Sequence, residues 1–188
     1  MLRINTPLTR ESVMKLRCGD VIKLTGQVVT ARDRAHRYLV GEKRRLPFNL
    51  EGGAIYHCGP LVEGNRIVAA GPTTSMRLEA YQAQVLRDYG VSAVIGKGGM
   101  GEETLRALKS FGCVYLAAVG GAATFLAESI RNVYGVFMRE EFGEAEAFWL
   151  LEVEDFPAIV AMDAHGCDLY STVGGKAKVK LQEILVGR

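Results

Sequence analysis

Residues 91–121 read V-S-A-V-I-G-K-G-G-M-G-E-E-T-L-R-A-L-K-S-F-G-C-V-Y-L-A-A-V-G-G. The run 91–96 is short, apolar and rich in β-branched residues, which predicts a buried strand. Glycines then punctuate residues 96–101, and 102–111 has the apolar spacing of a helix that Gly112 ends. A second apolar run follows at 113–121. Strand, glycine loop, helix and strand in that order predict a parallel pair covered by its crossover helix.

The same unit recurs on either side. V-I-K-L-T-G-Q-V-V-T-A (21–31) predicts a strand, followed by helical character over 32–46. N-R-I-V-A-A-G (65–71) predicts another strand, ended at Gly71-Pro72. Thr74 or Ser75 then caps a helix that runs through Tyr89, with Leu78, Tyr81, Val85 and Leu86 on one face and Gly90 at its end. Residues 146–155 and 157–163 read as two consecutive strands, and the chain finishes in a Lys-rich helical segment. Alternating strands and helices give an α/β class with a mostly parallel or mixed sheet.

Composition sets the bounds. The 188 residues carry 23 Lys+Arg against 21 Asp+Glu, a formal net charge of +2, and 48% are hydrophobic. That length predicts one domain, 1–188. The apolar fraction excludes disorder, and the balanced charge argues against nucleic acid as a partner, since phosphate contacts need a surplus of Lys/Arg. No run approaches the roughly 20 apolar residues that cross a bilayer, and the charged N-terminal stretch lacks the apolar core of a signal peptide, so no membrane is expected. Cys18, Cys58, Cys113 and Cys167 are far apart and show no C-x-x-C pair. They predict free thiols in a reducing cytoplasm and no metal on this chain.

In open α/β sheets, ligands collect at the carboxyl ends of strands, where helix N-termini offer free amides. Three such ends are well furnished: T-A-R-D-R-A-H (30–36), A-G-P-T-T-S-M-R (70–77) and G-K-G-G-M-G (96–101). Together they bring Arg32, Arg77 and Lys97, two threonine hydroxyls and backbone amides. That set suits a small anion with more than one carboxylate or phosphate. Gly96, Gly98 and Gly101 also satisfy the dinucleotide fingerprint, but the acid required about 20 residues later is missing. Taken singly, each residue has a plainer reading. His36 and His57 read as packing histidines, Thr73 and Thr74 as helix caps, Glu152, Glu154 and Asp155 as a solvated strand face, and D-A-H-G (163–166) as a turn.

The motifs A-R-D-R-A-H, I-Y-H-C-G-P, G-P-T-T-S-M-R, G-K-G-G-M-G and E-V-E-D-F-P-A-I-V, in that order, resemble the C-terminal catalytic module of class I, iron–sulfur-dependent fumarases. They resemble equally the β subunit of L(+)-tartrate dehydratase. The resemblance implies a swivelling β/α/β-type domain and half of an enzyme. A separate α subunit would carry the [4Fe–4S] cluster, in a hetero-oligomer with two αβ pairs. It also implies a carbon–oxygen hydro-lyase that removes water from a 2-hydroxy dicarboxylate, fumarate hydratase first, with tartrate dehydratase or a non-catalytic dicarboxylate-binding module as alternatives. Arg32, Thr74, Arg77 and Lys97 would bind substrate, and Thr73 matches the family's proposed base. His36 is a second acid/base candidate, with Asp33 orienting it or Arg32.

Overall fold

The computed structural model describes residues 1–41, 46–64 and 66–186. In chain order the strands are β1 (Leu2–Asn5), β2 (Val21–Thr30), β3 (Ala54–Tyr56), β4 (Leu61–Glu63), β5 (Arg66–Ala69), β6 (Ala93–Gly96), β7 (Val114–Ala117), β8 (Ile130–Phe137) and β9 (Phe148–Met162). The helices are α1 (Arg10–Met14), α2 (Asp33–Val40), α3 (Glu79–Tyr89), α4 (Glu102–Phe111), α5 (Ala123–Ala127), α6 (Arg139–Phe142) and α7 (Leu169–Val186). A single 3-10 turn, Ser75–Leu78, leads into α3. Among the described residues no helix is long and apolar enough to cross a membrane.

Seven strands form one mixed sheet in the order β1-β2-β3-β6-β7-β9-β8, and β9 also pairs with β2. The added pairing closes β2, β3, β6, β7 and β9 into a barrel. The first four are mutually parallel, and β9 runs antiparallel to both β2 and β7. Side chains alternate across each strand, so closure gives every strand an inner and an outer face. Ile22, Leu24, Val28, Ala54, Tyr56, Ala93, Ile95, Val114 and Leu116 belong to the inner cluster. Val29, Ile55, Val94 and Tyr115 face outward, onto Ala35 and Leu39 of α2, Val85 and Leu86 of α3, and Leu108 of α4. Burial on both faces explains why these strands read as unbroken apolar runs.

The sequence splits residues 146–163 into two strands, whereas the chain makes one, β9. At its middle, the register against β2 passes from Gly26↔Val153 to Leu24↔Phe156, so Glu154 and Asp155 together oppose Thr25. This is a bulge, with Asp155 in the left-handed region at φ 53°. Its N–H donates to Thr25 Oγ1 (3.1 Å), and its carboxylate meets Lys23 Nζ (2.8 Å) and Arg3 Nη2 (3.4 Å). The bulge also shifts the alternation. Trp149, Leu151 and Val153 point inward before it, Phe156, Ala158 and Val160 after it. Asp-Phe-Pro therefore looks like a turn in sequence while the strand continues through it.

Other boundaries move less. The predicted helix over 32–46 is observed as α2, with residues 42–45 outside the described set. The predicted strand 65–71 is β5, with Asn65 outside that set, and it pairs with β4 in a separate two-stranded sheet. Buried Thr30 ties the end of β2 to β9: its hydroxyl donates to Ala147 O (3.2 Å) and accepts from Trp149 N (3.0 Å). Thr30→Val keeps the shape and strands both partners. It is expected to lower the unfolding free energy by about 2 kcal/mol in urea titrations; an unchanged midpoint would show that this junction does not hold the barrel shut.

Candidate active site

The segment 72–75 is wedged between the extensions of β3 and β6. Thr73 N donates to His57 O (2.6 Å), Lys97 N to Thr73 O (3.3 Å) and Ser75 N to Lys97 O (3.1 Å). Bridges Cys58↔Pro72 and Thr74↔Lys97 complete the insertion. Thr73 and Thr74 are thereby held beside the glycine loop, and Lys97 Nζ donates to Thr74 Oγ1 at 2.8 Å. Thr74 stands at the cap position of the 3-10 turn, but its hydroxyl makes no cap bond because Lys97 has it. Among the described residues no hydrogen bond within the chain engages the Thr73 hydroxyl, and Thr73 is half-buried.

Two arginines approach the same end of the barrel. Arg32 caps α2 in an extended conformation and lies across Gly59, where a Cβ would come within 2.6 Å of Nη1. Its Nε is buried, 3.4 Å from Glu146 Oε1 and without a hydrogen bond. Glu146 Oε2 accepts the N–H of Arg34 (2.9 Å), so one carboxylate fixes both the start of α2 and the Arg32 side chain. Arg77 donates through Nη2 to the carboxylate of Asp33. Sequence reasoning pairs Asp33 with His36 or Arg32; its carboxylate goes to Arg77, which the 3-10 turn swings toward α2. Among the described residues Lys97 has no carboxylate partner.

Beneath these cations lies a buried polar chain. His36 Nδ1 is 2.9 Å from Arg32 O, and its Nε2 is 3.2 Å from the Gln82 side-chain oxygen. His57 Nε2 reaches the same oxygen at 3.0 Å, and its Nδ1 is 2.9 Å from Ser75 Oγ. The Tyr115 hydroxyl lies 2.9 Å from both Ser75 Oγ and Gly98 O. The chain thus runs from the backbone of Arg32 to the loop that carries Lys97. Gly96 makes room for it, since a Cβ there would sit 1.8 Å from Ser75 Oγ. Burial pushes both imidazoles below their ordinary pKa, His57 further, with the neighbouring His36 adding to the effect. His36 is fully buried with both ring nitrogens engaged, so it lies behind the cation cluster and not at its surface.

The N-terminus of α4, expected to offer free amides, is already occupied. Glu79 Oε2 accepts Gly101 N (2.7 Å) and the Thr104 hydroxyl (2.7 Å), and Oε1 accepts Thr104 N (3.1 Å). A Cβ on Gly101 would meet that carboxylate at 2.5 Å, so this glycine admits the clamp. Sequence reasoning missed Glu79, Gln82, Tyr115 and Glu146 and took Ser75 only for a helix cap. Only the i, i+3 spacing of Glu79 and Gln82 on one helix could have hinted at a shared face.

Because His36 and His57 are held neutral, the unfolded chain takes up protons first as the pH falls below the ordinary imidazole value of 6.5. Stability is therefore fully present above that pH and declines beneath it. Thermal unfolding between pH 8 and pH 5.5 should show a falling Tm, and His57→Gln should flatten part of the slope. A flat wild-type profile would mean that the folded protein accepts these protons at no expense.

Comparison with known proteins places the chain in a family. The family model described as Fumarase C-terminus matches residues 1–173. A protein of Geobacillus stearothermophilus named as a class I fumarate hydratase is 44% identical over 97% of this chain, which spans 36% of that relative. A protein of Methanocaldococcus jannaschii named as an L(+)-tartrate dehydratase subunit beta is 41% identical, covering 95% of both chains. The L(+)-tartrate dehydratase subunit beta of Escherichia coli is 39% identical over 88% of this chain and 85% of its own. A match of this extent makes the chain a member of the fumarase C-terminal family.

Proposed function

We propose that this chain is the β subunit of an iron–sulfur hydro-lyase that interconverts fumarate and (S)-malate, working in the cytoplasm with an α subunit in a hetero-oligomer of two αβ pairs. The observation that supports this reading is that the segments bearing Arg32, Thr73, Arg77 and Lys97 all lie at the carboxyl ends of parallel strands, with Lys97 bonded to Thr74 and the Thr73 hydroxyl unengaged among the described residues. A mere binder of dicarboxylates needs the cations but no hydroxyl beside them.

Proton removal next to a carboxylate builds negative charge on that carboxylate, and preorganised cations lower the barrier by meeting it. Lys97, with no carboxylate of its own, takes one substrate carboxylate. Arg77 and Arg32, held in direction by Asp33 and Glu146, take the other. Thr73 moves the proton; a hydroxyl does so only when nearby cations stabilise its alkoxide. His36, behind Arg32, positions that arginine through its backbone carbonyl and exchanges no proton with substrate.

The [4Fe–4S] cluster is assigned to the α subunit, because the cysteines present do not fit one. Cys58 lies in the inner apolar cluster and Cys113 in the outer, and the only group of metal-ligating type among the described residues joins Cys18 and Cys167 with Asp163. Met76, Leu61, Val119 and Phe125 are exposed and supply apolar surface on which the α subunit can seat.

Co-purification with the α subunit tests the proposal. The chain alone should be inactive, and the reconstituted enzyme should hydrate fumarate. Lys97→Met and Arg77→Met should each lower kcat/KM at least about tenfold, since losing a charge-assisted contact costs about 1.5–3 kcal/mol. Thr73→Val should depress kcat while an inert dicarboxylate still binds. Turnover by the isolated chain, or near-normal kcat in Thr73→Val, would overturn the assignment. A tartrate dehydratase reading has its own support, because this chain matches the separate β subunits nearly end to end. A higher kcat/KM for tartrate than for malate would decide in its favour.

A further inference from the structure

Cys18 and Cys167 stand near opposite ends of the sequence and meet beside the root of α7. Cys18 lies in the turn that enters β2, and Cys167 in the turn between β9 and α7. Their sulfurs and a carboxylate oxygen of Asp163 all lie within 4.8 Å of one another. Asp163, almost wholly buried, arranges the meeting. Its Oδ1 accepts the N–H of His165 (2.9 Å) and of Cys167 (3.0 Å), and its Oδ2 accepts the N–H of Cys18 (3.0 Å). One carboxylate thus pins the backbones of both cysteines. The Cys18 thiol itself faces two carbonyl oxygens, Cys167 O at 3.1 Å and Ala161 O at 3.4 Å.

We propose that Cys18 and Cys167 form a reversible disulfide that staples the entry to β2 onto the root of α7. The oxidant is a low-molecular-weight disulfide. The two thiols give up two protons and two electrons, one S–S bond forms in the protein, and the S–S bond of the oxidant breaks to release two thiols. Excess thiol reverses the exchange, as a cytoplasmic setting requires. A disulfide needs the sulfurs about 2 Å apart, so the two side chains close in from the spacing of the reduced protein, which is at most 4.8 Å.

A metal ion is the competing occupant of these three residues, and the surroundings argue against it. It would require thiolates, yet two carbonyl oxygens and the Asp163 carboxylate confront the Cys18 sulfur, and Oδ1 already accepts two N–H groups. Burial first, then contact with Cys167 and the charge of Asp163, hold the Cys18 thiol above its ordinary pKa. Neutral thiols and a neutral disulfide both suit the site. The oxidation is also selective by access: Cys18 and Cys167 are half-buried, whereas Cys58 and Cys113 are buried in two separate apolar clusters. The staple matters beyond its own turn, because Tyr170 at the start of α7 packs on Gly99, in the loop of Lys97.

The full chain, treated with oxidised glutathione and then freed of it, should show two titratable thiols in denaturant instead of the four of the reduced protein. Peptide mapping should join the fragments that contain residues 18 and 167. Tm should rise by at least about 5 °C, reversibly with dithiothreitol, because the link closes a very long loop. Cys18→Ser and Cys167→Ser should each abolish that gain. Persistence of all four thiols, an intermolecular link, or a stoichiometric zinc ion that shields both cysteines from a thiol reagent until chelated would overturn the proposal.

Discussion

The side-chain amide of Gln82 stands between two imidazoles, and the loops that carry the cations hang from that arrangement. Arg32 O can only accept, so His36 keeps its proton on Nδ1 and, when neutral, turns a bare Nε2 toward Gln82. With the amide oxygen between the rings, the amide nitrogen has no partner, and His36 would need protons on both nitrogens. The opposite orientation gives each imidazole an N–H donor from one NH2 group and lets His57 Nδ1–H donate to Ser75 Oγ. Burial disfavours charged rings, and that orientation keeps both neutral, with the amide oxygen in place of the nitrogen left unpaired. A buried donor left unpaired costs about 1–3 kcal/mol, so this part of the molecule has few acceptable arrangements. Rigidity here is what keeps Arg32 and Lys97 at fixed separation.

Much of this was written in the residues. Apolar runs marked β2, β6 and β7 as strands, though β3 was not among them, and glycines with cations at strand ends marked the candidate site. What escaped depends on contacts between distant segments. Asp-Phe-Pro carries the marks of a turn, and only its pairing with Thr25 reveals a bulge inside a continuous strand. Asp33 sits one residue from Arg32 in sequence, yet its carboxylate meets Arg77 from another loop. Gln82 looks like any polar residue on an amphipathic helix. Its burial follows from the way α3 lies over His36 and His57, which no local pattern encodes. His36 was legible as a histidine near the site but not as one enclosed behind it.

The electrostatics are graded. Arg32 and Arg77 each face an acid that aims the guanidinium and removes part of its field, while Lys97 faces the Thr74 hydroxyl and, among the described residues, no acid. Arg77 remains half-exposed, and a charge contact open to water is weak. These cations gain strength when water is excluded, so their full effect depends on a second body covering the barrel end. The Glu79 clamp on α4 fits the same pattern, since it removes a helix N-terminus from competition and leaves anion binding to side chains.

Strand β9 has a consequence for the order in which the molecule can be made. It holds β2 along one edge and β7 and β8 along the other, so the barrel lacks a wall until residue 162 is present. On a ribosome, β2 emerges well before its antiparallel partner β9 and must wait for it, with Ile22, Leu24 and Val28 uncovered on one side. Contacts so distant along the chain are slow to form and leave strand edges open to wrong partners in the interval. Vectorial synthesis therefore presents this fold as an open, half-built sheet until β9 emerges, and only then closes it.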